Sequence, residues 1–148
     1  MPLLRIIVGL AGSGKSKLLS SWQADDPSIA ICDEGFLPFE ASYLQLPKVQ
    51  TLLASLRAGL PAAAVEIGYM SAQHRDHLTE FIERELPSVH LEWHFFLLDL
   101  SQCKNNLIQR AMEGDSRSVV EHVQMNARLS PQISIPNDAI LHHVWRPT

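Results

Sequence analysis

Several protein classes are excluded by what this chain lacks. Cysteine occurs twice, at Cys32 and Cys103, without C-x-x-C spacing, so both read as reduced thiols and no disulfide frame is expected. No run of Lys and Arg is present and the formal net charge is -4. A nucleic-acid backbone is therefore a poor match for the surface as a whole, although one local basic pocket stays open. No apolar stretch approaches the roughly 20 residues of a membrane span. Internal repeats, low-complexity tracts and linkers are missing as well. Met1-Pro2-Leu3-Leu4-Arg5 runs straight into an apolar segment, without the basic start and small-residue cleavage site of a signal peptide, which makes the cytoplasm the expectation. What remains is one globular domain over 148 residues, 46% hydrophobic and 19% charged. A chain of this length buries about two-thirds of its unfolded surface.

Against that background one stretch stands out: Gly9, Leu10, Ala11, Gly12, Ser13, Gly14, Lys15 and Ser16, with Lys17 next. It fits G-x-x-x-x-G-K-[ST], the P-loop pattern, between an apolar run (Leu3 to Val8) and a helix-like stretch (Lys17 to Gln23). Each residue type has a reason. Glycines let the backbone curl around an anion with its N–H groups inward. The following helix start adds free N–H groups and a positive dipole end. Lys15 reaches β- and γ-phosphates, and Ser16 is the Mg²⁺ ligand of the pattern. The whole stretch is read as a nucleotide-phosphate cradle.

Apolar runs at Leu4–Val8, Ile29–Cys32, Ala62–Ile67, His90–Leu98 and Ala139–Trp145 read as five strands. Helical periodicity lies between them, so the expected class is α/β: a doubly wound, mostly parallel sheet with the Leu4 strand central. Ligands in such sheets bind beyond the carboxyl ends of the strands. Asp33, after the second strand, is thus a candidate to orient or deprotonate an acceptor hydroxyl, with Glu34 as its substitute. Glu66 ends the third strand. It serves bound Mg²⁺, pairs with Arg, or caps the next helix. Phe36, Phe39 and Tyr43 either line an acceptor pocket or belong to the core, in a segment (36 to 59) expected to form one or two helices. His74 and His77 share a helix spacing without a third ligand, and Arg75 lies near the active edge. Asp99 reads as a Walker-B-like acid or as the N-cap of a helix from Gln102 to Met112. Arg110 to Arg117 forms a short polar bridge, and Ser118-x-x-Glu121 is a capping box for the next helix.

Taken together, these features resemble the small P-loop kinases, such as shikimate, gluconate and adenylate kinases, and the predicted-kinase branch near the zeta toxins and polynucleotide 5′-kinases. The resemblance covers nearly the whole chain. It rests on Gly9 to Ser16, Asp33, Val65-Glu66-Ile67-Gly68 with Arg75, Leu97-Leu98-Asp99-Leu100, Arg110, Arg117 and Ser118 to Glu121. It implies strand order 2-3-1-4-5 and a short lid near 110–117 whose Arg110 and Arg117 close over the phosphates. It also implies ATP and Mg²⁺ as cofactors and a small-molecule hydroxyl as phosphoryl acceptor. Lys15, Asp33, Arg110 and Arg117 would then be catalytic, with Ser16 and Glu66 at the metal. Two departures stand out. Glu66 replaces the Asp of many relatives, and Glu113 and Asp115 sit beside the lid arginines. No N-K-x-D guanine-reading motif is present, which favours ATP. Two other classes compete: a nucleotide-binding regulatory NTPase without an acceptor, and a nucleic-acid end kinase, which the charge balance disfavours.

Overall fold

The computed structural model describes residues 1–115 and 117–147; Ser116, within the expected lid, and Thr148 lie outside the described residues. Five strands, β1 (Leu3–Val8), β2 (Ala30–Cys32), β3 (Ala62–Val65), β4 (His90–Phe96) and β5 (Ile140–His142), form one sheet in the order β2-β3-β1-β4-β5. Every pairing is parallel. Leu4 lies opposite Ala62 on one side and Leu91 on the other, which puts β1 at the centre. A parallel sheet is covered on both faces, and β1 shows the consequence. Leu4, Ile6 and Val8 point into one apolar layer and Ile7 into the other. The strand therefore reads as continuously apolar, not alternating.

Helices α1 (Lys15–Asp25), α2 (Ala41–Leu44), α3 (Pro47–Arg57), α4 (Ala72–Glu85), α5 (Leu100–Met112) and α6 (Val119–Leu129) fill the connections. The larger core layer lies under α3 and α4, where Val49, Leu52, Leu53, Leu56 and Leu78 are fully buried. Leu19 and half-buried Trp22 of α1 cover the other face. Local chemistry sets several starts. Pro47 opens α3, where its missing N–H costs nothing. Asp99 caps α5 by accepting from Gln102 N at 3.0 Å. Ser118 caps α6 by accepting from Glu121 N at 3.2 Å, a cap worth about 1 kcal/mol.

Element boundaries differ from the sequence expectation where local chemistry intervenes. Helix α5 begins at Leu100 rather than Gln102, since its cap is Asp99, and runs to Met112, with Arg110 in its last turn. The 36–59 segment, expected as one or two helices, forms two, α2 and α3, divided before Pro47, whose ring disfavours helical backbone in the preceding residue. Strand β5 stops at His142 because the chain then leaves the sheet, and Trp145 N donates to Ser13 O at 2.9 Å.

Candidate functional site

Between β1 and α1 the chain curls tightly. Gly12 (φ 83°) and Gly14 (φ 110°) are in the left-handed region, where a side chain is strained. A Cβ on Gly12 would stand 2.5 Å from Cys103 O, and one on Gly14 would stand 2.7 Å from Trp145 Cβ. Gly14 is also the N-cap of α1 and supplies no side-chain cap. Leu18 N is the first amide to bond back, to Gly14 O at 3.1 Å. The amides of Lys15, Ser16 and Lys17 precede it and have no intrahelical acceptor. Ser13 Oγ is buried without a hydrogen-bond partner among the described residues. Lys15 Nζ donates to Gly9 O (2.8 Å) and Leu10 O (2.9 Å). Burial lowers its pKa to about 8, and the charges of Arg110 and Arg117 push the same way. This cluster of donors suits an anion: a phosphate would accept from the free amides and favour the charged form of the lysine.

The loop opens into a cavity of about 890 Å³ at the carboxyl edge of the sheet. Asp33, Glu66, Arg110 and Arg117 line the same cavity, so the four elements that carry the candidate residues converge there. Ser16 is exposed at the start of α1, and Lys17 Nζ lies 4.0 Å above the Trp145 ring. Asp33 is solvent-facing and pairs with Lys48 Nζ at 3.7 Å, while Glu34 approaches the same ammonium at 3.9 Å. Glu66 accepts from Gly35 N through one oxygen and from Gly68 N through the other, each at 2.8 Å. It thus caps the 3₁₀ turn Ile67–Met70 and ties it to the Asp33 loop. Each carboxylate oxygen keeps a second lone pair, so Ser16 and Glu66 fit a hard cation that also takes phosphate and water oxygens. Among the described residues no cluster of three or more His, Cys, Asp or Glu is placed to hold a metal.

The arginines share one carboxylate. Arg117 meets Asp115 through Nε (3.1 Å) and Nη2 (2.6 Å), and Arg110 Nε lies 3.7 Å from Asp115 Oδ2. The hydrogen bonds from Arg117 hold the Asp115 carboxyl well below the usual carboxylate range. Arg110 Nε is a buried donor without a hydrogen-bond partner among the described residues.

Other sequence candidates fall elsewhere. Arg75 is buried and structural: it donates to Tyr69 O, Ser134 O and Ser134 Oγ at 2.8–3.0 Å, away from the cavity. Asp99 is a cap and an ion-pair partner of Arg146 at 3.1 Å. Phe36 is core. His74 and His77 both pack against Phe39, and among the described residues no group of three or more His, Cys, Asp or Glu is placed to hold a metal there. Tyr43 lines the cavity.

Sequence reasoning missed four residues at the site: Lys48, Asn106, Asn126 and Trp145. Asn126 exchanges hydrogen bonds with Ala11 in both directions, at 3.0 and 2.9 Å. Asn106 Nδ2 donates to Gly12 O (2.9 Å) and Trp145 O (2.6 Å). The available signal was a polar residue on an inward helix stripe: Asn106 follows buried Cys103 by three and precedes buried Leu107.

No family model matches the chain, and no curated protein matches it. Solved structures do. A gluconokinase from Sinorhizobium meliloti 1021 aligns with a TM-score of 0.57 at 15% identity, over 99% of this chain and 85% of that one. A chain of the Pnkp1/Rnl/Hen1 RNA repair complex aligns with a TM-score of 0.54 at 14% identity; it covers 90% of this chain, which spans 46% of that chain's length. These likenesses, with the all-parallel order β2-β3-β1-β4-β5, show that the chain has the α/β fold of the P-loop kinases.

Proposed function

We propose that this protein is an ATP- and Mg²⁺-dependent phosphotransferase acting on a small-molecule hydroxyl. The observation that carries the reading is convergence. A phosphate-shaped loop with a half-buried lysine opens into the same cavity as an exposed carboxylate and two arginines. In this reading the loop amides and Lys15 hold the β- and γ-phosphates in place. Asp33 accepts the proton of the acceptor hydroxyl as it attacks the γ-phosphorus. Arg110 and Arg117 stabilise charge that builds on the equatorial oxygens, which is the main catalytic need of phosphoryl transfer. Ser16 and Glu66 would hold Mg²⁺, which supplies charge neutralisation between the β- and γ-phosphates when bound.

Lys48 pairs with Asp33 and Glu34 at the cavity, and Glu66 adds a third carboxylate to the same lining. That balance favours a neutral or cationic acceptor over a sugar acid or a nucleic-acid end. A second reading, a regulatory NTPase without an acceptor, is favoured by one feature: Asp115 occupies both lid arginines.

Thermal unfolding with and without MgATP and MgGTP, on the wild type and Lys15→Ala, is the test. At one hundred times Kd a ligand adds about 2.7 kcal/mol, or roughly 5–10 °C here. A shift with ATP that Lys15→Ala loses supports the site; no shift at millimolar nucleotide ends the kinase reading. Asp33→Asn separates the two readings. It should abolish transfer to an acceptor while slow background hydrolysis continues, and full transfer activity in that variant would remove Asp33 from its role.

A further inference from the structure

The phosphate loop does not hold its own shape. Residue Ala11 is held through both of its flanking peptides by one carboxamide: Ala11 N donates to Asn126 Oδ1 at 3.0 Å, and Asn126 Nδ2 donates to Ala11 O at 2.9 Å. An amide side chain offers a donor and an acceptor side by side in that arrangement without having to be protonated. The reciprocal pairing also fixes which end is oxygen, since the flipped group would set donor against donor. The next peptide is held from a second helix. Asn106 spends both Nδ2 hydrogens, on Gly12 O and Trp145 O, and its Oδ1 accepts from Gln102 Nε2 at 3.0 Å. Both asparagines are at least nineteen-twentieths buried, at 2% exposure for Asn126 and 5% for Asn106.

From this geometry we propose that Asn106 and Asn126 are positioning residues that fix the Ala11–Gly12 peptides so that the following amides face the phosphates. The inference rests on the reading of Gly9–Ser16 as a nucleotide site. Its physical content is directional. With Ala11 O and Gly12 O held by buried amides, these two carbonyls are turned away from the anion. Without that hold, a peptide flip would bring a carbonyl dipole toward the phosphates and repel them. The same helices carry the lid: Arg110 lies one turn after Asn106 on α5, and α6 begins two residues after Arg117. Loop and arginines are therefore set in one frame, and the distance between them is a property of α5 and α6.

The test uses the intact chain with MgATP as probe. Asn126→Ala and Asn126→Asp are compared with Val89→Ala, a core change at the opposite end of the sheet, chosen to match their loss of Tm. Calorimetry well below Tm should give at least a tenfold weaker Kd for both Asn126 variants and for Asn106→Ala, with Val89→Ala at the wild-type value. Asn126→Asp is the sharper variant, because it keeps the acceptor for Ala11 N–H and sets a carboxylate against Ala11 O. Kd within twofold of wild type in the Asn variants, despite lower Tm, would overturn the proposal and leave a structural role only. If an alanine variant does not fold, Asn126→Ser takes its place. Should the wild type itself bind no MgATP, the proposed function falls. The positioning claim is then decided by the backbone amide resonances of Gly12, Ser13 and Gly14: they should move in the Asn126 variants and stay in Val89→Ala, and unmoved resonances refute it.

Discussion

The two halves of the cavity are built in opposite ways. At the phosphate loop, Ser13 is 1% exposed, and the contacts that hold the turn come from residues 94 and 115 positions away in the chain. At the acceptor and lid side, the side chains of Asp33 and Arg117 are 76% and 58% exposed, and the arginine's partner is two residues away. One half is a rigid shape set by tertiary packing. The other is a set of exposed and half-buried ion pairs, which exchange more readily than packed contacts. A phosphate-binding surface has to be preorganised, because its amides act through direction. Charges that close on a substrate have to change partners. The contrast predicts that changes in the loop act through geometry, with large effects on stability and binding together, while changes in the lid act through charge and leave stability almost untouched.

The largest effect is expected from Gly12→Ala. The new Cβ would meet a backbone carbonyl at 2.5 Å, and the φ of 83° is strained for alanine. A carbonyl on α5 cannot yield as a side chain would. A stability loss on the order of 1–3 kcal/mol follows, together with loss of the nucleotide-dependent Tm shift. Gly59→Ala is the control, since its φ is also positive, at 82°, yet nothing lies within 4 Å of the added carbon. It should lose stability from strain alone and bind nucleotide normally. Equal binding defects in the two variants would mean that backbone strain, not the loop's enclosure, is responsible.

Next in size is a pH effect on the loop half. Burial lowers the Lys15 pKa to about 8, below the ordinary lysine value near 10.4. The sign follows directly. Between those two values the unfolded chain binds more protons than the folded one, so this group makes the unliganded protein more stable as pH rises from about 8 to about 10.4. Phosphates prefer the charged lysine, so binding moves the other way: affinity for ATP should fall roughly five- to sixfold between pH 8 and 9, with a proton taken up on binding. Calorimetry in buffers of different ionisation enthalpy measures that proton. Lys15→Arg should bind with a flat profile over the same range. A wild-type affinity that is also flat to pH 9.5 would mean that Lys15 is not the group the phosphates meet.

These two halves were unequally legible in the sequence, and for the same reason. The loop's own chemistry is local: Gly12, Gly14 and Lys15 carry it within one short stretch, and the apolar strand before it and the helix after it were readable from periodicity. The sheet order was available only through the resemblance to small kinases. The long-range anchors were not readable, because nothing near Asn126 in the chain indicates Ala11 as its partner. Arg75 shows the converse. Its position suggested the active edge, yet Ser134, 59 residues on, claims its guanidinium. Glu66 illustrates a third case. Its residue type fits a metal ligand and a helix cap alike, and the backbone amides of Gly35 and Gly68 engage both of its oxygens. Residue type narrows the chemistry; partners across the fold select among the options.

The smallest effect on stability, and the most direct probe of the exposed half, is Asp115→Asn. Asp115 holds two guanidiniums with one carboxylate, so an incoming triphosphate must compete with it for both. The hydrogen bonds from Arg117 depress its pKa, so it is ionised throughout the working range, and any stability it contributes would be lost only as pH falls below the ordinary carboxylate value, about 3.9. The Asp115 pair is local and Arg117 is well exposed, so neutralising it should leave Tm within a degree or two. Removing the carboxylate frees two positive charges beside the loop. Affinity for ATP should rise several-fold, and the gain should shrink at high salt, where screening weakens charges that face solvent. A several-fold loss at unchanged Tm would reverse the assignment, making Asp115 the group that aims the arginines. The exposed half would then share the preorganised design of the loop, and the contrast between the two halves would narrow to one of distance along the chain.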